Sequence, residues 1–124
     1  MNFIKTNDAL EVNGHYSQAV EHNGTIYISG ILPFDNQTGK FVDTGLEEQV
    51  IAVFSNLDHI LEAAGSSKEK ILKTTVYIPG IELWDKINAL YGEYFGEHRP
   101  ARSIVPTTPL HFNSNIELEV VAYK

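Results

Sequence analysis

The stretch Ile71-Leu72-Lys73-Thr74-Thr75-Val76-Tyr77-Ile78-Pro79-Gly80 carries the strongest strand signal in the chain. Its first eight residues are rich in β-branched and aromatic side chains, which favour a pleated sheet. Pro79 lacks a backbone N–H and Gly80 favours a turn, so the pair ends the segment. The stretch therefore predicts a strand over residues 71–78.

A helix pattern lies on each side of this strand. Apolar residues recur at helical spacing from about Gly45 to Ala64, and again from about Ile81 to Phe95. Thr44 and Glu47 have the spacing of a capping box, which predicts the start of the first helix. Gly65 suits the position just after its C-terminus.

The remaining segments predict further strands around this helix–strand–helix unit. Asn23-Gly24 sits between two strand-like runs and tolerates the positive φ angles of a type I′ hairpin turn. Residues 101–106 and 116–123 close the chain as strands. With no linker or repeat in 124 residues, we predict one domain over 1–124, of class α+β. Its mixed sheet carries both helices on one face.

The composition excludes several functions. A formal net charge of −7 and the absence of any basic run disfavour binding to nucleic acid. No apolar run is long enough to cross a membrane, no secretory signal is present at the start, and the chain contains no cysteine. We therefore expect a cytoplasmic protein. The five histidines lack metal-binding spacing, so we expect no metal.

Arg102 is the first candidate for a functional side chain. The chain has only two arginines, and Arg102 lies inside the motif Pro100-Ala101-Arg102-Ser103, whereas Arg99 suits a solvated loop. A planar guanidinium can hold a carboxylate through two parallel hydrogen bonds. A structural salt bridge to Glu117 or Glu119 is the alternative that spacing alone favours.

Glu117 is the second candidate, and we expect it to face the same small pocket as Arg102. In a strand over 116–123, alternation places Glu117 and Glu119 together on the face opposite Leu118. Two carboxylates at this spacing repel each other and raise the pKa of one of them. Such a carboxyl group suits proton transfer near neutral pH. A solvated strand face is the alternative.

Eight motifs in a fixed order give the chain a resemblance to a known family. They are Gly14-His15-Tyr16-Ser17-Gln18-Ala19-Val20, Ile28-Ser29-Gly30, Asn56-Leu57, Ala63-Ala64-Gly65, Lys73-Thr74-Thr75-Val76-Tyr77, Asn88-Ala89-Leu90-Tyr91 and Pro100-Ala101-Arg102-Ser103 with Glu117-Leu118-Glu119. In these residues the chain resembles the RidA (YjgF-like) family of small trimeric enamine/imine deaminases. The resemblance covers about Gly14 to Ala122.

The resemblance implies a homotrimer with sites at its subunit interfaces, and an enzyme that hydrolyses 2-iminobutanoate and 2-iminopropanoate. Small 2-imino and 2-keto acids are the implied ligands, and no cofactor is implied. Arg102 would bind the substrate carboxylate and Glu117 would activate water, while Glu119 would have a structural role. The other implied substrate-binding residues are Tyr16, Ser29, Gly30, Asn88 and Ile104.

The chain departs from the family pattern at positions that bear on substrate preference. Ile104 stands where the family often has cysteine, and Ile31 where it has glutamine. His15 and His111 replace prolines, and Phe112 follows His111. Three alternatives stay open: a non-catalytic carboxylate-binding regulator, a ribonuclease or translation inhibitor, and a deaminase specialised for one pathway.

Overall fold

The computed structural model describes all 124 residues. The chain forms, in order, strands and helices β1 (Asn2–Ile4), β2 (Ala19–His22), β3 (Thr25–Ile31), α1 (Leu46–Ala63), β4 (Ile71–Ile78), α2 (Trp84–Phe95), β5 (Ala101–Pro106) and β6 (Glu117–Tyr123). Short 3-10 turns lie at Lys68–Lys70, Ile81–Leu83 and His111–Asn113. Neither α1 nor α2 has the length and apolar character that crossing a bilayer requires.

The strands form a single six-stranded sheet in the order β1-β2-β3-β6-β4-β5. All neighbours are antiparallel except β4 and β5, which run parallel. Parallel neighbours need a crossover, and α2 provides it. The predicted α+β class, with a mixed sheet and two helices, is confirmed.

Both helices pack on one face of the sheet. The core lies between them and the inward-facing strand residues, among them Ile26, Val76 and Leu118, which are fully buried together with Leu57 of α1. Burial of such side chains contributes about 1.5–3 kcal/mol each. The opposite face is open in the single chain and carries half-exposed rings such as Tyr27.

Two details at the helix and sheet ends differ from the sequence predictions. Helix α1 is capped by the backbone of Gly45, with φ 147°, and no side chain caps it, so the capping box of Thr44 and Glu47 is wrong. Glycine tolerates this positive φ angle. Because Gly45 rather than Thr44 occupies the N-cap position, the helix begins at Leu46, one residue later than predicted. Strand β1 at the sheet edge was not predicted, because three residues carry no readable pattern.

Two predicted turn conformations are confirmed, one at the hairpin between β2 and β3 and one at the C-terminus of α1. Asn23 and Gly24 have φ angles of 52° and 82°, as a type I′ turn requires. Gly65, with φ 76°, follows the end of α1. The N–H of Ser66 donates to the carbonyl of Leu61 at 2.8 Å, which is the bond pattern of a Schellman motif.

Gly65→Ala is expected to lower the free energy of unfolding by about 1–2 kcal/mol, because a Cβ atom is disfavoured in the left-handed region. Urea unfolding at one fixed protein concentration measures the change. Gly92→Ala is the matched control. It lies inside α2 with open space around it, so alanine there should stabilise the helix by up to about 1 kcal/mol. Equal effects of the two variants would contradict the prediction.

Candidate active site

Arg102 and Glu117 lie on opposite faces of the sheet. Arg102 pairs across the sheet with Thr74, whose hydroxyl is hydrogen-bonded to Tyr91 of α2 at 2.7 Å, so Arg102 lies on the helix face. Glu117 pairs with Tyr77, three residues further along β4, and therefore lies on the open face. Within a single chain the two side chains therefore do not meet, and a pocket that they share across subunits stays a prediction.

Arg102 is held by residues of α2. Its Nη1 donates to Oδ1 of Asn88 at 3.0 Å, and no salt bridge to Glu117 or Glu119 forms. The guanidinium carbon lies 4.7 Å from the ring centroid of Tyr91 and 5.6 Å from that of Trp84. These cation–π contacts orient the guanidinium while its remaining donors make no hydrogen bond within the chain.

We call Trp84, Asn88, Tyr91 and Arg102 the arginine half-site. It borders an open cavity of about 530 Å³ whose wall includes Asn88, Tyr91 and Arg102. The sequence analysis assigned Asn88 and Arg102 to the site. Tyr91 lies in the same motif as Asn88 but was not assigned to the site, and Trp84 lies in no motif. The spacing of residues 84, 88 and 91 could have placed the two rings beside Asn88, since it follows the i, i+4, i+7 pattern of one helix face.

Glu117 lies next to a β-bulge in the sheet. The pairing of β3 with β6 shifts register between Ile28 and Ile31, so Ser29 and Gly30 form a bulge. A Cβ atom on Gly30 would overlap the Glu117 carboxylate, so this close approach requires glycine. The hydroxyl of Ser29 donates to the carbonyl of Ser17 at 2.6 Å, which fixes the bulge.

We call Tyr16, Ser29, Gly30 and Glu117 the glutamate half-site. Tyr16, Ser29 and Gly30 line one cavity of about 370 Å³, and Glu117 adjoins it across Gly30. Tyr16 is 55% exposed, so it is available to a ligand rather than part of the core. Four residues from three separate motifs are therefore neighbours in the structure.

Burial raises the pKa of the Glu117 carboxyl, and the charge of Glu119 raises it further, while His111 opposes the shift. Glu119 accepts a hydrogen bond from the Tyr77 hydroxyl at 2.7 Å, and this bond raises the pKa of Tyr77. A half-buried carboxyl with a raised pKa beside a cavity is suited to general acid–base chemistry.

Ile104 lies on the helix face of β5, beside Val76, and packs against the core. It is two residues from Arg102 and on the same face, so its backbone is close to the arginine half-site. Its side chain contributes to packing there. Residues that the motifs did not identify, Phe34 and Phe41, form an aromatic cluster with Phe112 near the glutamate half-site.

Comparison with known proteins identifies the family. The family described as "Endoribonuclease L-PSP" matches residues 6–124. A "RutC family protein" of Aquifex aeolicus is 44% identical over 100% of both chains. A "2-iminobutanoate/2-iminopropanoate deaminase" of Homo sapiens is 38% identical, covering 96% of this chain and 87% of that one. The crystal structure of RidA from an Antarctic Psychrobacter species matches with a TM-score of 0.95, at 33% identity and over 100% of both chains.

This chain belongs to the RidA (YjgF-like) family. The predicted family membership is therefore confirmed, and a deaminase is named among its relatives. Like that RidA structure, this RidA-family chain packs two helices on one mixed sheet. The family resemblance implied seven site residues. Six of them separate into the two half-sites, and the seventh, Ile104, lies beside the arginine half-site.

Proposed function

We propose that the protein hydrolyses 2-imino acids, formed from enamines such as 2-aminoacrylate, to 2-keto acids and ammonia. Its active site would join the arginine half-site of one subunit to the glutamate half-site of another in a homotrimer. One observation carries this proposal: each half-site is incomplete, and the sheet keeps Arg102 and Glu117 of one chain apart. The deaminase name of the human relative supports the reaction class.

The open face of the sheet supports assembly. Tyr27 is 50% exposed and Tyr123 is 43% exposed, and both lie on the face opposite the helices. Glu117 lies on the same face. Packing this face against neighbouring copies would bury these rings and bring a second chain next to Glu117.

The proposed reaction begins with binding of the substrate carboxylate by Arg102. Its fork of N–H donors matches the two oxygens of a carboxylate, and Asn88 and the two aromatic rings hold the fork in place. Main-chain groups near Gly30 and Ile104 would then position the imine nitrogen. Holding the C=N carbon next to a bound water reduces the entropy that the reaction must otherwise lose.

Glu117 then acts as general base and general acid. With the imine nitrogen protonated, Glu117 accepts a proton from water as the water oxygen bonds to the imine carbon, and the C=N electron pair moves to nitrogen to give a carbinolamine. The carboxylic acid next returns that proton to nitrogen. The carbinolamine hydroxyl then gives its proton to the Glu117 carboxylate as the C=O bond forms and the C–N bond breaks, and ammonia and the 2-keto acid leave. Imines hydrolyse in water unaided, so one positioned acid–base group, providing about 10²–10⁴-fold, is sufficient. No cofactor takes part in this scheme.

A trapping assay tests the proposal. D-amino-acid oxidase generates an imine from D-alanine, semicarbazide captures it, and the semicarbazone is followed by its absorbance with and without the protein. We expect the protein to reduce the rate of trapping in proportion to its concentration. An unchanged trapping rate with alanine, leucine and phenylalanine imines, together with binding of 2-keto acids, would instead indicate a non-catalytic carboxylate-binding regulator.

The word endoribonuclease in the family description does not suit this chain. The net charge is −7, and the phosphate backbone of RNA is bound chiefly through clusters of lysine and arginine. The only arginines are Arg99 and Arg102. The charge thus supports a small anionic ligand at a single guanidinium rather than a polyanion.

Glu119→Gln is expected to shift the acid limb of the pH–rate profile to lower pH. Glu117 must be ionised to accept a proton, so the rate falls as the pH drops through its pKa. The Glu119 charge raises that pKa, so its removal lowers it. The profile of kcat/KM against pH measures the shift. His111→Gln should move the limb in the opposite direction, and a shift of both variants in the same direction would contradict the assignment.

A further inference from the structure

The cavity at the glutamate half-site is larger than a substrate with a methyl or ethyl side chain requires. Its volume of about 370 Å³ is in the range of sites that bind drug-sized ligands. Half of its lining residues are apolar, and they include Leu10, Val12, Ile31, Leu32, Phe34 and Phe112.

Two of the polar side chains that line this cavity, Gln18 and Asn56, already hydrogen-bond within the protein. The amide nitrogen of Gln18 donates to the carbonyls of Thr6 and Leu10, and its oxygen accepts from the Thr6 N–H. The amide nitrogen of Asn56 donates to the carbonyl of Phe34, and its oxygen accepts from the Leu10 N–H. With these two amides occupied, a ligand side chain meets the apolar half of the lining, and Glu11, Asn13 and His111 are the polar residues beside it.

Phe112 has an unusual backbone for a large side chain. Its φ is 62° and its ψ is 19°, in the left-handed region, which costs about 1–2 kcal/mol for a residue with a Cβ atom. Phe112 as a whole remains 52% exposed, so burial does not offset this cost fully. Backbone strain of this kind is concentrated at functional sites such as ligand-binding cavities.

The ring of Phe112 is nevertheless held in one orientation. Its centroid lies 5.1 Å from that of Phe34, edge to face, and 5.7 Å from that of Phe41. The imidazole of His111 stacks on it at 4.1 Å. A fixed, partly exposed aromatic face therefore borders the same cavity as Ser29 and Gly30.

We propose that this cavity receives the side chain of the substrate, and that the protein prefers 2-imino acids with a large apolar side chain, such as the benzyl group of the phenylalanine-derived imine. The inference rests on the proposed function and specifies its substrate class. A benzyl group would contact Phe112, Phe34 and Ile31, whereas a methyl group would leave these three side chains exposed to water. Contacts of this kind discriminate by about 10–200-fold per methylene-sized difference.

The test compares kcat/KM for the imines of D-phenylalanine and D-alanine in the trapping assay. We expect the parent protein to prefer the phenylalanine imine by at least about tenfold. Phe112→Asn should reduce this preference by about tenfold, and asparagine tolerates the positive φ, so the fold is retained. Phe112→Tyr should retain the preference. Ile51→Asn, at an exposed site on the outside of α1, is the control and should change neither rate.

A preference for the alanine imine in the parent, or an equal loss for both imines in Phe112→Asn, would overturn the inference. If no imine is accelerated, the proposed deaminase fails, and calorimetric titration with phenylpyruvate and pyruvate then decides the inference by itself. Tighter binding of phenylpyruvate that is lost in Phe112→Asn would support the side-chain cavity without catalysis. Equal binding of the two acids, or none, would overturn it.

Discussion

Arg102→Ala is expected to lower kcat/KM for imine hydrolysis by about 10²–10³-fold while the protein remains folded. The loss follows from removing one partner of a hydrogen-bonded ion pair with the substrate carboxylate, which costs about 2–5 kcal/mol. Arg102 is an edge-strand residue whose side-chain hydrogen bond and cation–π contacts are all with α2, through Asn88, Tyr91 and Trp84. The core does not depend on it, so circular dichroism and thermal unfolding should change little.

Two further variants separate charge from geometry. Arg102→Lys retains the positive charge but loses the planar fork, so we expect most of the loss to persist. Arg99→Ala removes the other arginine, three residues away, and should leave kcat/KM nearly unchanged. Steady-state kinetics in the trapping assay measure all three variants. Full activity of Arg102→Ala with the same imine would remove the guanidinium from the mechanism.

Local sequence signals predicted much of the fold because they depend on near neighbours. The Asn23-Gly24 turn, the glycine after α1 at Gly65 and the alternation along β6 each follow from one or two residues and one backbone conformation. The capping prediction at Thr44 was wrong because it, too, depended on the identity of a single near neighbour. One intervening glycine with positive φ changes which residue is the cap.

The relation between Arg102 and Glu117 could not be predicted in the same way. The side-chain period of a strand is two, so a one-residue change in register reverses the face. The faces of Arg102 and Glu117 depend on how β5 and β6 each align with β4 between them. Nothing local in the sequence encodes that alignment. Motif matching supplied the residues of the site, and the strand register separated them into halves.

Glu117→Gln is expected to lower kcat by about 10²–10⁴-fold, because an amide of the same shape cannot accept the proton of the attacking water. Binding of a 2-keto acid should persist, and calorimetry measures it. Stability is not expected to fall. Burial raises the pKa of Glu117, so its ionised form at neutral pH destabilises the folded state relative to an uncharged residue. Any stabilisation should disappear below the ordinary pKa of glutamate.

Mixing the two inactive variants tests the shared site directly. Arg102→Ala and Glu117→Gln subunits are unfolded together in equal amounts and refolded. A site is intact only where the subunit that provides Glu117 carries the arginine change and its neighbour carries the glutamate change. Random assembly gives this arrangement at about one quarter of the sites, so about a quarter of the parent activity should return.

The dependence on mixing ratio makes the result specific. Recovered activity should follow the product of the two mole fractions, with its maximum at equal amounts, whereas contamination by active protein would follow one fraction linearly. Refolding each variant alone is the control and should recover nothing. If activity fails to return at every ratio although mixed oligomers form, the two half-sites do not combine across subunits. The separation of Arg102 from Glu117 within one chain would then argue against joint catalysis by these residues.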